Sequence, residues 1–435
     1  METFVIEIAA LLGLYMAWNI GANDVANSMA DAVGSKSISV TQAVVLAGIC
    51  EFAGAVLAGA PVTDTVRKGI VDPNTFLTLT GLTHPQAAAL FVIGMTSALL
   101  AAAIWLNVAS IMGMPVSTTH SIVGAVAGFG IVAAGWQSVQ WHKMAMIVAS
   151  WFVSPIAGGF MAYLLFKFIN HSILGRDRPT RAAIKYAPYL VSAVTATVVL
   201  ATIYKGLKHI IGNVKWFTPE VSVIITVALS IATGMMSRFL IRRRLEGKDT
   251  LPVGEQLEMV EQVFVPIVII TSCSVAFAHG ANDVANAIGP LAGIVKVIQS
   301  GTVVHKVGVP FWVLALGGAG IVMGLATFGY KVMQTVGTDI TEITPSRGVA
   351  ADLAATATVL ICTRLKLPIS TTHTLVGAIL GIGLARGLGG INKSVTNKIF
   401  GAWFITVPVA AVLCMFLFLT GKMYFFDYLT AICTK

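Results

Sequence analysis

A succession of apolar runs, each close to the length of a membrane-crossing helix, constrains this chain more than any other feature. A helix needs roughly 20 apolar residues to cross the hydrocarbon of a bilayer. Charged residues are only 11% of the chain, whereas roughly 25% is usual in soluble domains. The sequence therefore predicts an all-α polytopic membrane protein of about twelve membrane segments. The runs lie near residues 4–28, 40–60, 86–107, 115–134, 144–168, 188–204, 221–241, 260–288, 310–330, 349–365, 368–386 and 397–421.

The net charge of +9 reflects membrane topology and not a nucleic-acid partner. Lysines and arginines lie in short connections between apolar runs, and the densest clusters fall at 176–185 and 242–248. Because cytoplasmic loops of membrane proteins are enriched in these residues, both connections are predicted to be cytoplasmic. The expected setting is the lipid bilayer of the inner (plasma) membrane, which the chain crosses many times, with no nucleic acid bound.

Two polar motifs each occur twice. The stretch HGANDVANAIG at 279–289 repeats the GANDVAN of 21–27 at an offset of 259, and PVSTTH at 115–120 recurs as PISTTH at 368–373, at an offset of 253. Seven runs separate equivalent positions, and an odd number inverts the second copy, which is typical of transporters with broken or re-entrant helices. The predicted organisation is a first repeat at 1–140, connecting segments and a basic loop at 141–259, a second repeat at 260–421 and a tail at 422–435.

The GANDVAN motifs are predicted to bind cations. Carboxylate and amide oxygens are hard ligands that suit a small cation, and ionisable residues are costly within a membrane. Asp24 and Asp283 would carry the charge, as Na⁺ ligands or as protonatable sites. A single motif could equally be a helix cap, but two copies within membrane segments favour a site. The neutral oxygens would come from Asn23, Asn27, Asn282 and Asn286.

The PxSTTH motifs are predicted to bind an anion where a helix begins. Proline suits the first helical turn and serine or threonine caps it, while the free amides and dipole of a helix N-terminus attract negative charge. Ordinary capping explains one such run, and duplication favours a site. His120 and His373 could serve as a proton relay, contact the substrate, or anchor the bend. The hydroxyls are those of Ser117, Thr118, Thr119, Ser370, Thr371 and Thr372.

Some polar residues have no counterpart in the other half of the chain. Glu51 lies inside an apolar run, where it would be a further cation ligand or gate, or would line a polar cavity. Asp31 is predicted to be interfacial, as are Glu7, Arg364 and Lys366. The GxxxG spacing at Gly124 and again at Gly377 predicts close helix packing.

The two duplicated motifs, in this order, resemble those of the inorganic phosphate transporter (PiT) family. The resemblance implies a secondary symporter of inorganic phosphate with twelve segments, inverted repeats and a homodimer. It also implies that the Asp/Asn motifs bind cations and substrate, with Asn23 and Asn282 as ligands of both, and that the STT residues bind phosphate; His120 and His373 are further candidate substrate contacts. Sodium ions are the expected coupling ions, without an organic cofactor, and access would alternate around a mid-membrane site. The short basic loop is more similar to the prokaryotic branch.

Several alternatives remain open on the sequence alone. Coupling to protons, transport of a metal–phosphate complex, or transport of sulfate would use similar residues. Two membrane aspartates also fit an intramembrane aspartyl protease, but every hydroxyl and histidine is duplicated, and neither GxSxG nor GxGD occurs. An anion channel would lack any dependence on a cation. The expectation is a transporter and not an enzyme.

Overall fold

The computed structural model describes residues 2–59, 70–71, 81–203, 218–301, 303, 308–364 and 369–434. These residues are almost entirely helical, and the bridge between Val71 and Val139 is the one strand-type pairing among them. Pro368 and the end of the run at 188–204 lie outside the described residues. The helices are α1 Glu2–Ile20, α2 Ala26–Gly34, α3 Val40–Ala58, α4 His84–Ile111, α5 Thr118–Ala134, α6 Trp141–Ile169, α7 Pro179–Ala201, α8 Pro219–Leu245, α9 Val253–Ser300, α10 Phe311–Gln334, α11 Pro345–Arg364, α12 Thr371–Arg386 and α13 Lys393–Cys433.

Every predicted apolar run coincides with a helical region, but the helices differ in length. Nine helical segments of the described chain are long and apolar enough to cross a membrane. Helices α5 and α12 have 17 and 16 residues, and at 1.5 Å per residue they rise only about 25 Å, less than the roughly 30 Å of hydrocarbon. Buried residues lie at the start of both, Thr118 and Thr372, so α4–α5 and α11–α12 form helical hairpins whose second helices start inside the protein.

Glycine allows the helices that carry the first GANDVAN motif to touch α10 through their backbones. A methyl group built on Gly21 would lie 1.8 Å from the carbonyl oxygen of Ile321, and one on Gly324 would lie 1.7 Å from that of Trp18. No side chain fits at such distances, because it would have to overlap a backbone atom. The two elements are therefore packed as closely as helices can be.

The hairpin helices are held by the predicted GxxxG contacts, in a crossed arrangement. Gly124 on α5 lies against the backbone of Val407 on α13, and Gly377 on α12 lies against Pro155 on α6. The second glycine of each pair repeats the contact one turn further on. Since α6 follows the first hairpin and α13 follows the second, each hairpin packs on the helix that belongs to the other.

Helix α13 is longer than its predicted run. It continues through residues 422–433, which the sequence assigned to a tail, and it buries Leu429, Ile432 and Cys433. This end of the chain is thus part of the helical bundle.

Candidate functional site

The first GANDVAN motif interrupts its helix. Gly21–Val25 forms a π-helical turn between α1 and α2, whereas the second motif lies inside the continuous helix α9. A π-turn inserts an extra residue into the helical repeat. Asn23 lies in this turn and Asn27 in α2, and the two side chains have different partners.

Asn23 joins the first motif to the tip of the first hairpin. Its Nδ2 donates to Ser110 Oγ at 3.1 Å and to the carbonyl of Met114 at 2.9 Å. Its Oδ1 accepts from the backbone N–H of Val116 at 2.9 Å. All three partners lie just before the STT run, so this amide fixes where that run begins. Its predicted role as a ligand of phosphate or sodium remains a prediction.

The carboxylate of Asp24 accepts hydrogen bonds from threonine hydroxyls of both copies of the STT motif. Thr118 Oγ1 donates to its Oδ2 at 2.8 Å, and Thr372 Oγ1 donates to its Oδ1. Asn27 Nδ2 donates to the same Oδ1 at 3.3 Å. The carboxylate is 3% exposed. The cation motif of one half thus meets the hydroxyl motifs of both halves at one point.

Asp283 repeats this arrangement. Its Oδ1 accepts from Thr119 at 3.4 Å and its Oδ2 from Thr371 at 3.3 Å. Asn286 Nδ2 donates to Asp283 Oδ1 at 3.2 Å, and it also lies 3.1 Å from the hydroxyl oxygens of Thr118 and Thr119. Each aspartate therefore takes one hydroxyl from each hairpin.

The serines of the two motifs cap their helices, as the sequence predicts. Ser117 Oγ accepts from the backbone N–H of His120 at 3.3 Å, and Ser370 Oγ accepts from that of His373 at 3.3 Å. The two helices begin next to these serines, so the positive ends of both helix dipoles face the aspartates. Such ends stabilise a bound anion.

His279 links the two aspartates to Glu51. Its Nδ1 lies 3.0 and 3.1 Å from the two carboxylate oxygens of Glu51, and its Nε2 lies 3.0 Å from Asp283 Oδ2 and 3.6 Å from Asp24 Oδ2. All four groups are buried. The sequence did not mark His279 as a ligand, because the first copy has Ile20 at that position. Its place one turn before Asp283 was the available signal.

A small cavity of about 40 Å³ opens beside these groups. Asn282 and Ser28 line it together with Asp24, His279 and Thr372. No lysine or arginine is among its described lining residues. Ligand atoms of Asp24, His279 and Asp283 all lie within 4.8 Å of one another, close enough to share one ion. The oxygen-rich donor set suits a hard cation.

Two further aspartates meet on the neighbouring part of the bundle. Asp352 Oδ2 accepts from Thr271 at 2.7 Å and from Ser272 at 2.8 Å. The carboxyl group of Asp31 faces that of Asp352, and no described donor reaches either of its oxygens. Asp31 is fully buried, and its predicted position at the depth of the membrane interface stays a prediction. Helix α2 packs against α9, α10 and α11, and those helices enclose it.

The other interfacial predictions also stay predictions. Glu7 is exposed on α1. Lys366 and the side chain of Arg364 lie outside the described residues. The spacing of Asp31, seven residues or two turns after Asp24, was the sequence signal that could have placed it on the same helix face.

A helical membrane bundle that encloses carboxylates, hydroxyls and the starts of two short helices defines a polytopic membrane transporter. The family model of the phosphate transporter family matches residues 20–414, and the chain belongs to that family. It is 44% identical over 417 residues to a protein of Pyrococcus furiosus named as a phosphate permease, covering 95% of each chain. It is 39% identical to inorganic phosphate transporter 2-1, chloroplastic, of Arabidopsis thaliana, over 95% of this chain and 72% of that one.

A solved structure gives the same result for the fold. The protein titled "The sodium-dependent phosphate transporter" is 40% identical, with a TM-score of 0.84, and the match covers 97% of this chain and 100% of that one. The resemblance to phosphate transporters is therefore confirmed, and this chain is a multi-pass membrane protein that transports phosphate. The alternative of an intramembrane protease is wrong, since the family and these relatives are transporters and not enzymes.

Proposed function

We propose that this chain imports inorganic phosphate by symport with sodium ions, with Asp24 and Asp283 as the principal cation ligands. The observation that carries the proposal is the convergence of both aspartates and both hydroxyl runs on one buried point. The relative that is 40% identical is titled sodium-dependent. The amide oxygens of Asn27, Asn282 and Asn286 would supply neutral ligands, which a proton does not need.

Charge is the first physical reason for cations. A phosphate bound by the threonine hydroxyls would lie beside two carboxylates, and like charges repel strongly where water is excluded. No lysine or arginine among the described lining residues neutralises them. Uptake of an anion against an inside-negative potential also requires about 2.3 kcal/mol per charge per 100 mV. Two or more sodium ions would offset both costs.

The hydrogen bonds suggest how sodium binding would favour phosphate binding. The hydroxyls of Thr118 and Thr372 donate to Asp24, and those of Thr119 and Thr371 donate to Asp283. A sodium ion at an aspartate would compete for the same oxygen lone pairs and release the O–H groups. The released donors would then bind phosphate oxygens. Because coupling is reciprocal, phosphate would raise the affinity for sodium by the same factor.

The pair of Asp31 and Asp352 would hold a further sodium ion. Two buried carboxyl groups face each other, and Thr271 and Ser272 add hydroxyl oxygens. Asp31 lies seven residues after Asp24, about 10 Å along the helix. Thr356 lines both the central cavity and a smaller one next to Asp352. This second cluster would therefore lie on the path of a cation to the central site.

Alternating access would come from movement of the hairpin helices against the GANDVAN helices. Backbone contacts through glycine hold each group together, α1 with α10 and the hairpin helices with α6 and α13, and the site lies between the groups. In a variant whose five cysteines are replaced by alanine, Ser28→Cys should react with an impermeant thiol reagent from opposite sides in different conditions. Sodium with phosphate should change that reactivity. Equal labelling from both sides at once would indicate a channel.

The deciding experiment is uptake of radiolabelled phosphate by the purified protein in proteoliposomes. Sodium, proton and electrical gradients are imposed separately, and sulfate is added as competitor. The proposal predicts accumulation driven by a sodium gradient and strengthened by an inside-negative potential. Uptake that follows a pH gradient and ignores sodium would overturn the sodium assignment and favour proton coupling.

A further inference from the structure

The histidines of the two STTH motifs lie side by side behind the hydroxyls. His120 and His373 are both buried, and their rings meet edge to face with centroids 4.8 Å apart. Each histidine is the residue whose backbone N–H is capped by the serine of its own motif. A displacement of either ring would therefore move the first turn of its helix and the two threonines in it.

Trp403 of α13 connects this pair to the first hairpin tip. Its indole stacks on the ring of His373, with centroids 3.7 Å apart and an interplanar angle of 18°. Its Nε1–H donates to the carbonyl oxygen of Pro115 at 2.9 Å. One side chain thus contacts the tip of the first hairpin through its edge and the start of the second hairpin helix through its face.

The histidine rings make their contacts through faces and edges. No described residue hydrogen-bonds to either ring nitrogen of His373 or to Nδ1 of His120. Trp151 of α6 flanks His120, with ring centroids 5.7 Å apart. A proton relay through His373 or through Nδ1 of His120 would need those nitrogens in a hydrogen-bonded chain, and the described contacts provide none. The rings are instead packed as aromatic planes.

We infer that Trp403, His373 and His120 form an aromatic clasp that positions the phosphate-binding threonines of both hairpins across the site. This inference rests on the proposed assignment of those hydroxyls to phosphate. None of the described hydrogen bonds or ring contacts of these three residues involves Asp24 or Asp283, so the clasp acts on phosphate through the position of the hairpin tips. The clasp requires a planar aromatic ring at position 373 and does not require a titratable ring nitrogen.

The test compares variants that keep or remove the aromatic plane, by phosphate uptake in proteoliposomes at saturating sodium. His373→Phe and His120→Phe should keep the half-saturating phosphate concentration within about threefold of the parent chain and leave the pH profile unchanged. His373→Ala removes the aromatic ring and should raise the half-saturating phosphate concentration. Trp403→Phe, which keeps the stack but loses the bond to Pro115, should raise it by about tenfold, the factor for one buried hydrogen bond. The half-saturating sodium concentration, measured at saturating phosphate, should stay constant.

Two results would overturn the clasp. One is a His373→Phe protein as impaired as His373→Ala, or with an altered pH profile, because a relay needs the imidazole nitrogen. The other is an unchanged phosphate dependence in Trp403→Phe. Thermal unfolding of each purified variant identifies misfolded protein, and Trp403→Phe is mild enough to decide alone. Thr371→Val with Thr372→Val separates the two proposals: if this variant binds phosphate normally, the assignment of the hydroxyls is itself wrong.

Discussion

Replacing Asp24 by asparagine should weaken sodium binding far more than it weakens phosphate binding. The carboxylate accepts from Thr118, Thr372 and Asn27, and an amide of the same size keeps the volume but loses the charge. One amide oxygen can still accept from a hydroxyl. The hairpin tips should therefore remain close to their positions while the cation loses its strongest ligand.

The size of the effect follows from the kind of contact that is lost. An interaction with a charged group is worth about 1.5–3 kcal/mol, and each 1.4 kcal/mol is a factor of about ten in affinity. The half-saturating sodium concentration should therefore rise by about 10- to 100-fold. Phosphate affinity at saturating sodium should change by less than about tenfold. Two of the four threonine hydroxyls, those of Thr119 and Thr371, donate to Asp283 and not to Asp24, so the substitution leaves their hydrogen bonds in place.

The assay is initial phosphate uptake against external sodium at a clamped membrane potential. Thermal stabilisation of the detergent-solubilised protein by sodium gives a second readout that does not depend on transport. Asp177→Asn is the matched control, since that aspartate is exposed outside the membrane segments. If Asp24→Asn kept the sodium dependence of the parent chain and lost phosphate affinity instead, the division between cation and anion motifs would be refuted.

Three further predictions concern the surroundings of the site. Asp352→Asn should lower the Hill coefficient for sodium in the same uptake assay while phosphate affinity is retained, and an unchanged coefficient would argue against a second sodium at Asp31. Asn23→Ala leaves the polar groups of the hairpin tip without a partner, so it should lower the free energy of unfolding by about 1–3 kcal/mol, measured by chemical denaturation, and raise the half-saturating phosphate concentration. Gly324→Ala would press a methyl group into Trp18, and such overpacking costs about 1–3 kcal/mol; a melting temperature equal to the parent's would show that α10 can move aside.

The helices were predictable because apolar runs of membrane length have few alternatives. The hairpins were less so: α5 is an apolar helix, and only the length of α5 and α12 and the polar contacts at their starts show that both begin inside the protein. The π-turn at Gly21–Val25 has no counterpart in the second GANDVAN motif. Identical sequences thus adopt different local geometry, and a motif alone could not reveal this.

The sequence predicted which residues belong to the site, but it did not predict which of them are in contact. Duplication indicated two related motifs, but it could not show that each aspartate takes hydroxyls from both hairpins. His279 and Asp352 were missed because neither is duplicated, and duplication was the main evidence for function. The inverted orientation of the repeats and the homodimer stay predictions, since one chain is described and its orientation in a bilayer is not.

The crossed packing of the hairpins also bears on how the chain is made. The glycine face of α5 rests on α13 at Val407, about 280 residues later in the chain. At ribosomal rates of roughly 5–20 residues per second, synthesis of that interval takes about 15 to 55 s. During this time the first hairpin has left the ribosome without its final neighbour. The packing of the first hairpin is consequently completed only after α13 has been synthesised, and a chain truncated before α13 would leave Gly124 and Gly128 without the backbone they pack against.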